Sequence, residues 1–209
     1  MSDLRAPFLA DETGTLLTRS EFRQDFRERR AVVRGADSFK LERLQHFEEV
    51  DDPSRDALRR GDWQEALRLF ESERESARRA AEEQAARGAV RHRVRVVEQP
   101  VTPYVQWELH WLRMRAESGH SVRVLPASEI AFDEAAAGRP LPELVSLGDR
   151  TLFRVRYDDR GRPAGAVRFT DRETVRRWGA HLRELFTAAE DVRTFFAREV
   201  AHLAPPPPA

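Results

Sequence analysis

Hydrophobic and polar positions along the chain change period several times, and each change marks an element. From Asp62, Trp63, Leu67 and Phe70 recur at helical spacing, and beyond Phe70 the stripe thins to alanines. With Asp62 as a cap and Gly88 in the left-handed position after the last turn, the spacing predicts one long helix whose second half lies on the surface. The period then becomes two. Val90, Val94 and Val96 fall on one side of an extended segment, and Arg91, Arg93 and Arg95 on the other. A helix opened by Pro103 follows and ends at Gly119. It carries Tyr104, Trp107, His110 and Trp111 within two turns, an arrangement that reads as aromatic packing on a sheet. "HSVRVLP" is the next strand, and the order strand, helix, strand favours a right-handed crossover between parallel strands. "EIAFDEAAAGRPLPEL" is an excursion. A meander then runs from a strand around Val145 through a turn at Gly148-Asp149 to a hairpin closed by Asp158 to Gly161. Asp171 caps a helix with Val175, Trp178, Leu182, Leu185 and Phe186 on one face, and a further helical stretch reaches Leu203.

The amino-terminal part is less regular. The first fifteen residues form an arm. Thr18 to Glu21 has the spacing of a capping box, and Phe22 and Phe26 give the helix it opens a narrow apolar stripe that breaks near Gly35. Phe39 to Val50 fits helix and strand equally. Pro53 after Asp52 suits the first position of a short helix ending at Gly61. The resulting division is an arm and short helix over 1–37, a single domain over 38–203 and a disordered Pro-rich tail over 204–209. The fold class is α+β: a mixed β-sheet with an N-terminal helical portion and a C-terminal helical pair.

Composition narrows the chemistry. The 209 residues carry 36 Lys+Arg against 36 Asp+Glu, so no global field points to nucleic acid or an anionic membrane. Lys40 is the only lysine, a skew that reads as the coding bias of a GC-rich genome. Without cysteine there is no disulfide and no thiolate chemistry. No stretch has the roughly 20 apolar residues of a membrane span, and the first residues lack the layout of a secretion signal, so a cytoplasmic location is expected.

Across the strands, Arg91, Arg93, Arg95, Arg123, Arg154, Arg156 and Arg168 each alternate with an apolar neighbour. In simple register this makes one sheet face apolar and the other rich in guanidinium. That face is solvated, or paired with the acids of the first half (Glu42, Glu48, Glu49, Asp51, Asp52, Glu71, Glu73), or it binds an anion or nucleic acid through bidentate contacts to phosphate. The first two readings are favoured over nucleic acid, because the strands lack interleaved stacking aromatics.

Candidate chemistry is sparse. Glu108 and His110 are two apart on a helix and point away from each other, which excludes them as an acid–base pair. The six histidines show no metal spacing, and the aspartates at 149, 158, 159 and 171 sit at turns and a cap; no metal and no cofactor is expected. Phosphate-loop, dinucleotide and nucleophile-elbow motifs do not occur.

Four stretches carry a resemblance: "RVVEQPVTPYVQWE" (Arg95 to Glu108), "GHSVRVLP" (Gly119 to Pro126), "ELVSLGDR" (Glu143 to Arg150) and "YDDRG" (Tyr157 to Gly161). They resemble an actinobacterial family known as a domain of unknown function, of the DUF6879 type, across roughly residues 38 to 190. In the family run R-V-x-x-E-P-x-S-x-Y-x-R-x-E, Gln106 stands where the family commonly has arginine. Leu144-Val145 stands for a Phe-Trp pair, and Gly148 for an aspartate. The resemblance carries over Tyr104 and Glu108 as site residues and implies a partner in regulation, such as a helix-turn-helix regulator. The order of elements is also similar to a noncatalytic half of a phospholipase D-type fold, without that fold's H-x-K-x-x-x-x-D motif.

These readings imply a noncatalytic interaction or ligand-sensing protein in an actinobacterial regulatory or biosynthetic system, with a protein partner and no membrane partner. Two alternatives stand beside it. One is a motif-less enzyme acting on an anionic small molecule around Tyr104 and Glu108, with Arg93, Arg95, Arg123 and Arg154 as ligand-binding candidates. The other is nucleic-acid binding through the arginine face.

Overall fold

The computed structural model describes residues 4–207. In chain order the elements are β1 (Thr15–Leu17), α1 (Arg19–Val32), β2 (Ser38–Glu42), α2 (Pro53–Arg59), α3 (Trp63–Ser72), α4 (Arg74–Ala86), β3 (Arg91–Val97), α5 (Pro103–Glu117) and β4 (Ser121–Pro126). They continue with α6 (Ala131–Ala137), β5 (Leu144–Leu147), β6 (Thr151–Tyr157), β7 (Pro163–Phe169), α7 (Arg172–Ala188), β8 (Glu190–Asp191) and α8 (Val192–Glu199). Among the described residues, eight strands make one mixed sheet in the order β1-β7-β6-β5-β2-β3-β4-β8. The β2–β3 and β3–β4 pairs are parallel, and the meander β5–β6–β7 is antiparallel. This is the α+β fold that the periodicity predicts.

Both faces of the sheet are covered. On one, α5, α3 and α8 bury Trp63, Phe70, Trp107, Leu109, Leu112, Phe195 and Phe196 against Val97, Val122 and Val124. On the same face α1 lays Phe22 and Phe26 against Phe153. The other face packs Phe39, Leu41, Val94, Val96 and Leu152 under Val175, Trp178, Leu182 and Leu185 of α7. At about 25 cal/mol per Å² of apolar surface, these two layers supply most of the driving force for folding.

Local chemistry sets the helix starts. Thr18 and Glu21 form a reciprocal capping box, Asp52 caps α2 with Pro53 in its first turn, and Asp62, Thr102 and Asp171 cap α3, α5 and α7. Each such cap is worth about 1 kcal/mol. Gly165 allows β1 to approach β7: a Cβ at this position (φ +129°) would stand 2.2 Å from the Leu17 carbonyl oxygen.

Several expectations are corrected. The helix from Asp62 is interrupted at Glu73, where the apolar stripe ends; α4 follows from Arg74 with only Ala77 buried. The ambiguous stretch from Phe39 is strand β2 to Glu42 and a loop beyond. Residues read as an arm contribute β1 to the sheet edge, and Leu4 and Leu9 are buried on the α7 face. In the tail, Ala204 accepts a hydrogen bond from Gln106 and Pro206 is buried, while residues 1–3 and 208–209 of the predicted arm and tail lie outside the described residues.

The single arginine face does not exist. Register places Val94 opposite Arg123 and Phe153 opposite Arg168, so the arginines divide between the two faces. Arg91, Arg93, Arg95 and Arg168 face α1 and α5, whereas Arg123 and Arg154 face the α7 side. Alternation within one strand fixes sidedness only relative to that strand; pairing register decides which sides coincide. Consequently α5 sits on the arginine side of β3, not on its valine side.

Candidate functional site

The resemblance points to Tyr104 and Glu108, and the fold builds a buried polar network around them. Thr102 and Pro103 set the start of α5, which puts Tyr104 in its first turn and Glu108 one turn later, facing β3. The Arg95 side chain is fully buried and donates from Nε to Glu108 Oε2 at 2.7 Å. Its Nη1 reaches the Val96 carbonyl at 3.0 Å, while Nη2 is buried without a hydrogen-bond partner. Arg93 donates to Glu42 Oε2 at 2.9 Å, and Lys40 pairs with the same carboxylate. Tyr104 donates to Glu49 Oε1 at 3.2 Å, and the Arg55 guanidinium lies 5.4 Å from its ring centre.

The electrostatics fit a structural network. Burial pushes the Glu42 carboxyl up, but Arg93, Lys40 and Arg95 outweigh it and hold the group at about 2. Glu108 has only Arg95 as its bonded partner, so burial prevails and raises its pKa. Burial, reinforced by Glu108 and Glu49, pushes the Tyr104 phenol well above its ordinary range and keeps it a donor. Trp107 donates to Ser54 Oγ at 2.8 Å. His110 does not join the network; it packs edge-on between Trp63 and Phe196, and burial lowers it to about 4. The aromatic helix is thus a packed layer whose polar groups are used internally.

Of the predicted ligand residues, the structure gathers Tyr104, Glu108, Arg93 and Arg95 and separates the other two. Arg123 closes the end of α7 by donating to the Phe186 carbonyl at 3.0 Å. Arg154 ties down the N-terminal segment through Asp11 at 2.8 Å. Among the described residues, no group of three His, Cys, Asp or Glu side chains is placed to hold a metal, and no helix is long and apolar enough to cross a membrane.

A separate, open cleft of about 680 Å³ lies beyond the carboxyl ends of β2 and β3. Its walls include Arg43, Arg139, Glu143, Arg154, Arg156 and Tyr157. Tyr157 packs on Phe47 with its ring tilted, and Phe47 in turn meets Tyr104 edge-on. Glu143 Oε1 accepts the Arg43 and Leu44 amides at 2.6 and 2.7 Å, yet burial still pushes its carboxyl up to about 7. Arg43 is held by Glu98 and Glu134, and Arg154 by Asp11. Arg156 is exposed and has no carboxylate partner among the described residues, and Arg139 rests only over the Phe8 ring. Sequence reasoning missed Glu143 and Tyr157 as site residues. No spacing signals them, because Glu143 is made unusual by the Arg43–Leu44 backbone, a hundred residues earlier.

Comparison with known proteins supplies the family. The family described as "Domain of unknown function (DUF6879)" matches residues 18–197. The chain belongs to that family. No curated protein and no solved structure matches it. The family span runs from the α1 cap into α8 and takes in the closed network and all of the cleft's wall residues except Asp11.

Proposed function

We propose that the protein is a noncatalytic ligand-sensing and interaction module that takes a small anionic ligand in the cleft beyond β2 and β3. The observation that carries this reading is the division of labour between two adjoining regions. The groups suited to chemistry, Tyr104, Glu108 and Arg95, are sealed in the interior, whereas Arg156 and Arg139 line an open cleft and have no carboxylate partner of their own among the described residues, although Asp11, Glu98, Glu143 and Asp158 share its walls. Crevices beyond the carboxyl ends of parallel strands are the usual ligand position in α/β sheets, and the parallel part of this sheet follows that geometry. A regulatory or biosynthetic setting in an actinobacterium, with a protein partner that reads the liganded state, completes the proposal.

A second reading, a motif-less enzyme, is favoured by Glu143. A carboxyl that titrates near neutrality beside a cleft suits general acid–base work. Calorimetry with succinate and citrate separates the two. Sensing predicts saturable binding that Arg156→Ser weakens about tenfold, the loss of one charge-assisted pair, with the ligand recovered unchanged. Turnover of a bound carboxylate that disappears in Glu143→Gln would replace this reading with the enzyme, and absence of binding by wild type would end both.

A further inference from the structure

We propose a second anion site at the opposite, amino end of the parallel strands, where Arg30, Arg91, Arg93 and Arg115 take the phosphate group of a small molecule. Arg91 opens β3 and lines a shallow recess with Arg30 from the last turns of α1 and with Arg87, Ser38 and Gln84. Arg93, next on the same face, and Arg115 from α5 stand 5.1 and 5.0 Å from the centre of the Trp111 ring. Arg30 and Arg91 thus share the recess, and Arg93 and Arg115 adjoin it, near enough to act on Arg91.

What distinguishes the cluster is the shortage of acids. Arg93 is held by Glu42, which also receives Lys40, and Glu73, which acts on Arg115, already accepts the Trp111 indole N–H at 3.2 Å. Arg115 bonds only the ring of His120. Among the described residues, no carboxylate pairs with Arg30 or Arg91, and their unpaired nitrogens are not sealed in the interior. Burial, together with Arg30, Arg93 and Arg115, lowers Arg91 to about 10, so it stays charged at neutral pH under repulsion from its neighbours. Arg115 is lowered in the same way by burial, Arg93 and Arg30. Other half-buried arginines are matched with acids: Arg43 with Glu98 and Glu134, Arg154 with Asp11, Arg168 with Asp25. In a protein of zero formal charge, Arg91 and Arg115, half-buried beside Arg93 and the exposed Arg30, form a local excess of guanidinium over carboxylate.

The chemistry of the ligand follows from the surplus. One carboxylate would offset a single charge and leave the remaining repulsion in place. A phosphate monoester or pyrophosphate brings two or more charges and several acceptor oxygens, which match guanidinium forks arriving from different directions. Arg30, Arg87 and Arg91 line a recess, with Arg93 and Arg115 beside it, rather than run as a stripe, which favours a compact anion over a nucleic-acid duplex.

Thermal unfolding and calorimetry on the full chain test the site with pyrophosphate, ADP and acetate at matched ionic strength. Pyrophosphate is expected to raise Tm and bind saturably, acetate to do neither, and Arg91→Gln and Arg115→Gln each to weaken binding at least about tenfold. Tighter binding of ADP than of pyrophosphate identifies a nucleotide as the source of the phosphate, and equal binding identifies the free anion; either supports the site. Arg78→Gln, on the exposed face of α4, is the control and should bind as wild type does. Neutralising a repelled arginine leaves packing intact, and circular dichroism verifies the fold of each variant. An acetate effect equal to that of pyrophosphate, or pyrophosphate binding unchanged in both variants, would overturn the proposal. So would salt-sensitive retention of duplex DNA that pyrophosphate cannot displace.

Discussion

Arg91 and Arg95 lie on the same face of one strand, four residues apart, and have opposite surroundings. Arg95 is fully buried with Glu108 across it, whereas Arg91 looks into an open recess among other arginines. The strand pattern treats them alike, so the difference comes from what is laid over the strand. Helix α5 passes above the carboxyl half of β3 with Glu108 directed inward, and farther along it presents Trp111 and Arg115. A guanidinium under an acid becomes a tie between sheet and helix. One under another guanidinium becomes an unsatisfied charge that an anion can use. The identical residue type thus serves cohesion at one end of the strand and binding capacity at the other.

Breaking the closed end has the largest expected effect. Glu108→Ala leaves the Arg95 charge buried without its carboxylate, and loss of one partner of a buried pair costs about 3–5 kcal/mol. Urea unfolding should show this as a lower midpoint at unchanged slope. The double variant Arg95→Met with Glu108→Leu should recover much of the loss, because it removes the buried charge as well as its partner. A single variant that costs less than about 1 kcal/mol would mean that water reaches Arg95 and that the contrast with Arg91 is false.

An intermediate effect sharpens the comparison at the cleft, through pH. The folded Glu143 carboxyl titrates near 7 against roughly 4.3 in an unfolded chain, so the folded state binds its proton more tightly. Stability from this group is greatest below about pH 4.3, declines as pH rises toward 7 and then levels. Glu42 has the opposite sign. Its folded value of about 2 contributes stability above roughly pH 4.3 that is lost as pH falls toward 2. Glu143→Gln can still accept the two amides, so it should flatten only the decline between pH 4.3 and 7. At pH 8 the variant should be more stable than wild type by on the order of 2 kcal/mol, and at pH 4 the two should coincide. Denaturant midpoints at the two pH values measure it, and a variant less stable than wild type at pH 8 would show that the charged carboxylate is the favoured folded form.

How far these regions were legible in the sequence depends on whether local or long-range contacts decide them. The period-two run of β3, the Pro103 start of α5 and the Asp158 to Gly161 turn are local, and each emerges as read. Tyr104 and Glu108 were pointed to by the family resemblance, and one helical turn puts both toward the sheet. Sidedness of the arginines was not legible, because it depends on the register of Val94 with Arg123 and Phe153 with Arg168. The break at Glu73 was hidden as well, for no proline or glycine marks it. Glu143 could not be recognised because its environment is made by backbone amides distant in the chain.

The smallest expected effect concerns the open end, and there the sign matters more than the size. If Arg91 contributed to the fold as Arg95 does, Arg91→Gln would destabilise. The structure instead surrounds it with Arg30, Arg93 and Arg115 and gives it no carboxylate among the described residues. Removing its charge relieves repulsion and leaves the hydrogen bonds of β3 to β2 and β4 in place. The variant should therefore match wild type or exceed it by up to about 0.5 kcal/mol at low salt, the range of surface charge effects. Because screening weakens repulsion between partly solvated charges, any gain should shrink between roughly 0.01 and 1 M salt as the Debye length falls from about 30 to 3 Å. A loss above about 1 kcal/mol, independent of salt, would place Arg91 with Arg95 as a structural residue and remove the physical basis for an anion site at that end of the sheet.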